Sequence, residues 1–251
     1  MIMVSRMHLD IPSRLLGRNV PCRVFRPDSA GSRWCLLLHG FGGTEQSWQS
    51  ETPAEALAER FGLNLVMPGC GDGYYENTQE PMLDFLGREL PEFLARELGF
   101  SRDPREISTA GISMGGFGAL LLIGSYPQVY GKCASFGGAF ILEDVVDWNQ
   151  RVLGNADYLY FCRVFGDFDT LLGSDRDPEA MAKKALFRGE LGKLWLLCGE
   201  DDKRLITANR KLAKNLEQAG ADIRFTELSG DHSVSCWNPA MEKVLRWLAE
   251  T

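Results

Sequence analysis

Trp34-Cys35-Leu36-Leu37-Leu38 is an unbroken apolar run of strand length, the pattern of a strand covered on both faces. Further strand patterns lie at residues 63–67, 106–110, 131–136, 193–198 and 222–227. Residues 20–25 alternate enough to be an edge strand, ended by Pro27-Asp28. Between these runs the apolar spacing turns helical. Residues 53–61 open with Thr52 as N-cap and Pro53 at the first helical position. Residues 83–98 place Leu83, Leu86, Leu90, Phe93, Leu94 and Leu98 on one face, and 207–219 and 239–249 complete the helical set. Strands alternating with helices predict an α/β fold, a mostly parallel sheet with helices on both faces. From 138 to 192 the pattern loosens. Phe140, Tyr158, Tyr160, Phe161, Phe165 and Phe168 precede a turn-rich segment from Gly173 to Pro178, read as an irregular aromatic-rich excursion over the active site. At 251 residues the chain fits a single domain, residues 1–251, that includes this excursion.

One junction carries chemistry. Residues 108–123 read as a strand, one tight turn and a helix, with Ser113 at the tip. Gly111, Ser113 and Gly115 spell G-x-S-x-G, a nucleophile elbow. A serine in such a turn leaves no room for side chains two positions before and after it, so glycine flanks it.

A serine hydroxyl needs a base, and the base needs an orienting partner. The chain has three histidines. His8 is near the N-terminus, ahead of the sheet, and His39 opens the glycine-rich loop His39-Gly40-Phe41-Gly42-Gly43 after the 34–38 run. His232 lies between the last strand and the last helix and is the expected base. The acid belongs after the 193–198 strand, where Glu200, Asp201 and Asp202 follow one another. Asp202 is preferred for its Gly-x-x-Asp spacing, with Asp201 as the alternative. The chain order Ser113, Asp202, His232 is that of the α/β-hydrolase fold. Charge developing on a substrate carbonyl needs backbone donors in place. The N–H of Met114, at a helix N-terminus, and the N–H of Phe41 are the expected pair. His39 is expected to hold its loop by hydrogen bonds.

Net charge and cysteines narrow the partners. A formal charge of −7 argues against nucleic acid or an anionic membrane and leaves a small-molecule ester as the expected partner. The oligomeric state stays open. No apolar run reaches membrane-spanning length and the N-terminus lacks a signal-peptide core, so a cytoplasmic location is expected. Seven scattered cysteines without a C-x-x-C pair read as buried thiols; no metal and no cofactor is expected.

These motifs together resemble the esterase D-type family of α/β-hydrolases, which includes tributyrin esterases, S-formylglutathione hydrolases, acetylxylan and feruloyl esterases and mycolyltransferases. The likeness is strongest to the small bacterial tributyrin-esterase branch. It rests on Leu38-His39-Gly40-Phe41-Gly42-Gly43 with Ser47-Trp48, on Tyr74-Tyr75-Glu76-Asn77-Thr78, and on Gly111-Ile112-Ser113-Met114-Gly115-Gly116. It continues through Val164-Phe165-Gly166-Asp167, Cys198-Gly199-Glu200-Asp201-Asp202 and Gly230-Asp231-His232 to Trp237. Two positions depart from the family: Lys203-Arg204 where Phe-Leu often follows the acid, and Val234 where tryptophan often stands. The resemblance implies hydrolysis of short acyl esters through an acyl-enzyme. Thioester hydrolysis and acyl transfer to an alcohol are the alternatives, and a noncatalytic binding module is the remaining one. Trp48, Tyr74 and Trp237 are expected to contact substrate, together with the aromatic excursion.

Overall fold

The apolar runs pair, among the described residues, into one eight-stranded sheet in the order β1-β2-β4-β3-β5-β6-β7-β8. The structure, a computed structural model, describes residues 4–149 and 156–250. The strands are β1 Val4–Ser13, β2 Arg18–Pro27, β3 Trp34–Leu38, β4 Asn64–Pro68, β5 Ile107–Ile112, β6 Lys132–Phe136, β7 Lys193–Gly199 and β8 Ile223–Leu228. Pairs β1–β2 and β2–β4 are antiparallel, and every pairing from β4 to β8 is parallel. The helices are α1 Ser47–Glu51, α2 Ala54–Phe61, α3 Met82–Asp84, α4 Leu90–Leu98, α5 Met114–Ser125, α6 Leu142–Asn149, α7 Ala156–Phe165, α8 Pro178–Phe187, α9 Ile206–Gln218 and α10 Val234–Ala249.

The continuous apolar runs have the cause expected of them. All five residues of β3 are buried. Trp34, Leu36 and Leu38 point into the core under α5, whereas Cys35 and Leu37 point into the core under α2 and α10. The period-2 pleat therefore feeds two separate layers from one strand. Helix α5 is buried along its whole length except for Ser125, because it lies between the sheet and α8. A helix apolar all round belongs in that position.

Four expectations change. Residues 20–25 lie inside β2, which runs between β1 and β4, so the sheet edge on that side is β1. Residues 83–98 are α3, a π turn at Phe85–Glu89, and α4. Pro91 supplies no N–H and its ring would meet the carbonyl four residues back, so the helix widens before it. Helix α10 begins five residues before Pro239 because Ser233 caps it, its Oγ accepting from Cys236 N. The stretch 138–192 is not irregular: it carries α6, α7 and α8. Helix α8 packs on α5, so part of the stretch belongs to the helical layer. Its aromatic residues obscure a helical period because they pack on one another and on Tyr74 and Phe117. Residues 150–155 of the stretch lie outside the described residues.

Among the described residues no helix is long and apolar enough to cross a membrane. The seven cysteines are free, and burial pushes the Cys22, Cys35 and Cys198 thiols up to about 12. Such thiols stay protonated and poorly reactive.

The α5–α8 contact is close enough to test. A Cβ at Gly124 would lie 2.7 Å from the Ala182 backbone nitrogen. Gly124→Ala is expected to destabilise the protein by about 1–3 kcal/mol. The urea midpoint should fall with no change in m-value, and an unchanged midpoint would show the two helices free to separate.

Candidate active site

Four parallel strands deliver their following loops to one edge of the sheet. The loop after β3 brings His39 to Gly43, the turn after β5 brings Ser113, the loop after β7 brings Asp202, and the loop after β8 brings His232. Ligand sites of open α/β sheets form at this carboxyl edge.

Ser113 takes φ 56° and ψ −115°, a left-handed conformation that few non-glycine residues adopt. Such a backbone costs on the order of 1–3 kcal/mol and persists only where the surroundings over-determine it. Here they do. Ser113 N donates to Phe136 O at 2.9 Å, and Ser113 O accepts from Gly116 N at 2.9 Å and from Ala139 N at 3.0 Å. The flanking glycines are steric requirements. A Cβ on Gly111 would lie 2.0 Å from Gly115 O, and one on Gly115 would lie 2.2 Å from Leu38 O.

The turn aims the Ser113 hydroxyl at His232, with Oγ 3.0 Å from Nε2. On the other side of the ring, His232 Nδ1 lies 2.7 Å from Asp202 Oδ2. That distance places the imidazole proton on Nδ1 and leaves Nε2 free to accept from serine. Of the three acidic residues of this loop, Asp202 is the one beside the ring and is buried, whereas Glu200 and Asp201 are exposed. Asp202 Oδ1 also accepts from Leu205 N at 3.2 Å, which fixes the carboxylate as the chain turns into α9. The Trp237 ring stands edge-on to His232, with centroids 5.0 Å apart.

The His39–Gly43 loop closes against the serine. The Cβ position of Gly40 is 3.6 Å from Ser113 Cβ, so the loop backbone runs beside the hydroxyl. Among the described residues, neither Phe41 N nor Met114 N has a hydrogen-bond acceptor. Two unpaired N–H groups flanking a serine can receive an oxyanion. His39 holds the loop, as expected. Its Nδ1 donates to Gly40 O at 2.8 Å, its Nε2 accepts from Cys70 N at 3.2 Å, and its own carbonyl accepts from Tyr75 Oη at 2.7 Å. Burial lowers its pKa, keeping the ring neutral.

Ser113, His232, Phe41, Trp48 and Trp237 line one open cleft with a cavity volume of about 390 Å³. Trp48 is buried in its wall, with Nε1 donating to Leu38 O at 3.0 Å. Tyr74 lies elsewhere. Its ring is buried against Phe117 and Phe165, with centroids 5.1 and 5.0 Å away, and it does not reach the cleft. Phe140, Phe161 and Phe165 join that same aromatic core. Two contributors carry no motif signal: Asp72, whose Oδ1 accepts from Gly42 N at 2.7 Å, and Glu51 on the cleft wall. Their roles depend on loop packing that no local spacing encodes.

The family model described as "Putative esterase" matches residues 13–248. The chain belongs to that family, a group of α/β-hydrolase enzymes. Acetyl esterase of Caldicellulosiruptor saccharolyticus is 26% identical over 264 residues, covering 97% of this chain and 98% of that protein. S-formylglutathione hydrolase of Rattus norvegicus is 28% identical over 141 residues, covering 45% of this chain and 49% of that protein. Among solved structures, the fluorophosphonate-binding serine hydrolase FphF of Staphylococcus aureus superposes with a TM-score of 0.86 at 20% identity. The match covers 100% of this chain and 99% of that one. The likeness in structure establishes the fold.

His39 gives this region a pH dependence. Its pKa falls below the ordinary 6.5 on folding, so the unfolded chain binds the proton first. The stability it contributes is complete above about pH 6.5 and is lost as pH falls from there toward the folded value. Urea midpoints measured from about pH 8 to 5 should therefore decline on the acid side, and less steeply in His39→Gln. Equal slopes in the two proteins would contradict the buried neutral imidazole.

Proposed function

We propose that this protein is a serine carboxylesterase that hydrolyses short-chain acyl esters through an acyl-enzyme. One observation carries the proposal: Ser113 Oγ, both ring nitrogens of His232 and Asp202 Oδ2 form a single line at 3.0 and 2.7 Å. Ser113 Oγ attacks the ester carbonyl carbon while His232 Nε2 takes the hydroxyl proton. Asp202 keeps the ring in the Nδ1–H tautomer and stabilises the imidazolium that forms. The carbonyl oxygen becomes an oxyanion facing the N–H groups of Phe41 and Met114. His232 then returns its proton to the departing alkoxide, the C–O bond breaks and the alcohol leaves. A water molecule, deprotonated by the same nitrogen, attacks the acyl carbon; the bond to Ser113 Oγ breaks, His232 returns the proton to Oγ and the carboxylic acid leaves.

The full-length similarity to an acetyl esterase supports a short acyl group. Trp48, Trp237 and Val234 form the apolar wall on which that group or its alcohol rests. Similarity to S-formylglutathione hydrolases over about half the chain supports the thioester alternative, which uses the same residues.

Hydrolysis of 4-nitrophenyl acetate should be saturable in the wild type and fall to background in Ser113→Ala, with unchanged thermal stability. Asp202→Asn should lower kcat by about 10⁴-fold, the effect of presenting the wrong imidazole tautomer. Asp201→Asn should stay within about twofold of wild type, as for an exposed side chain outside the site. The reverse pattern, with Asp201 essential and Asp202 dispensable, would overturn the assignment. Turnover of S-formylglutathione far above that of the acetate ester would place the thioester first.

A further inference from the structure

Among the described residues, the cleft in front of Ser113 carries one carboxylate, that of Glu51, that the reaction sequence does not use. Glu51, the last residue of α1, lines the cleft together with Ser47 and Trp48 of the same helix and with His232, Val234 and Trp237 opposite. Its side chain is exposed, and among the described residues its carboxylate forms no ion pair or hydrogen bond. Carboxylates elsewhere on the surface are commonly paired: Glu55 with Arg6, Glu80 with Arg18 and Glu242 with Arg60. Among the described residues no lysine or arginine lines this cleft.

From this placement we infer that Glu51 is a specificity-determining residue that excludes negatively charged substrates from the Ser113 cleft. The inference rests on the esterase reading above and deepens it by naming the substrate class: esters whose acyl and alcohol parts are uncharged or cationic. An anionic group in the cleft would meet a like charge that no partner neutralises and, among the described residues, no cation to offset it. The protein's net charge of −7 acts in the same sense at longer range. The exclusion applies equally to anionic thioesters, so it separates neutral acyl esters from glutathione conjugates without any change in the catalytic residues. Specificity of this kind comes from a repulsive element as much as from attractive contacts.

The effect is electrostatic and has a definite size. Two unit charges about 6–8 Å apart, at an effective dielectric between those of bulk water and a protein surface, give about a three- to thirtyfold discrimination. Glu51 makes no hydrogen bond or ion pair with Ser113, His232 or Asp202, so its removal leaves their line of hydrogen bonds in place.

The test uses phenyl acetate as the neutral ester and 4-acetoxybenzoate as the anionic ester, with S-formylglutathione as an anionic thioester. Glu51→Gln should raise kcat/KM for both anionic substrates by about three- to thirtyfold relative to phenyl acetate, and Glu51→Lys should raise it further. At about 0.5 M salt the difference between wild type and Glu51→Gln should shrink, because screening removes what the carboxylate supplies. An anionic-to-neutral ratio identical in all three proteins, with phenyl acetate still hydrolysed, overturns the inference and leaves the esterase reading standing. Failure of the wild type to hydrolyse any of the three substrates overturns that reading, and this inference with it.

Discussion

The rest of the site depends on the backbone at Ser113 staying where it is. A left-handed serine between a strand and a helix is an unfavourable conformation, and the surrounding fold has the job of making it the least unfavourable one. Bonds to Phe136 O and from Ala139 N tie the turn to β6 and to the segment beyond it. Gly111 and Gly115 let α5 and β3 approach where any side chain would collide. The buried length of α5, wedged between sheet and α8, keeps the helix from backing away. Packing far from the hydroxyl thus supports its direction.

The remaining groups come to that hydroxyl by different routes. Asp202 and His232 arrive on loops after adjacent strands, and the buried aspartate is held by the first turn leading into α9. The His39–Gly43 loop is held from below. His39 bonds to Gly40 and Cys70, Tyr75 bonds to His39, and Asp72 receives the Gly42 N–H. Tyr74 and Tyr75 both carry positive φ, which folds the 70–80 loop tightly enough for those contacts. Tyr74 therefore serves the site through the aromatic core rather than by touching a substrate.

Much of this is legible in the sequence because the chemistry is local there. Gly111-Ile112-Ser113-Met114-Gly115 encodes its own steric requirement, and three histidines leave few candidates for a base. Buried strands announce themselves by unbroken apolar runs. The legibility stops where partners are distant. Burial separates Asp202 from Asp201, and burial depends on the α9 packing rather than on spacing. Strand β1 does alternate, with Met7, Leu9 and Ile11 between Arg6, His8 and Asp10, yet its place beyond β2 follows only from pairing. The helices of 138–192 are masked by aromatic residues whose partners, Tyr74 and Phe117, lie far away in the chain. Glu51 has no signature at all, since a cleft wall is a property of the assembled loops.

In the proposed function Ser113 is a nucleophile that becomes covalently acylated and is then released by water. Rapid quenching in acid during turnover of an acetate ester, followed by peptide mass spectrometry, examines that step directly. An acetyl adduct is expected on the peptide containing Ser113, present at early times and absent once substrate is exhausted. Turnover with no adduct on that peptide, or with the adduct on a different residue, would contradict it.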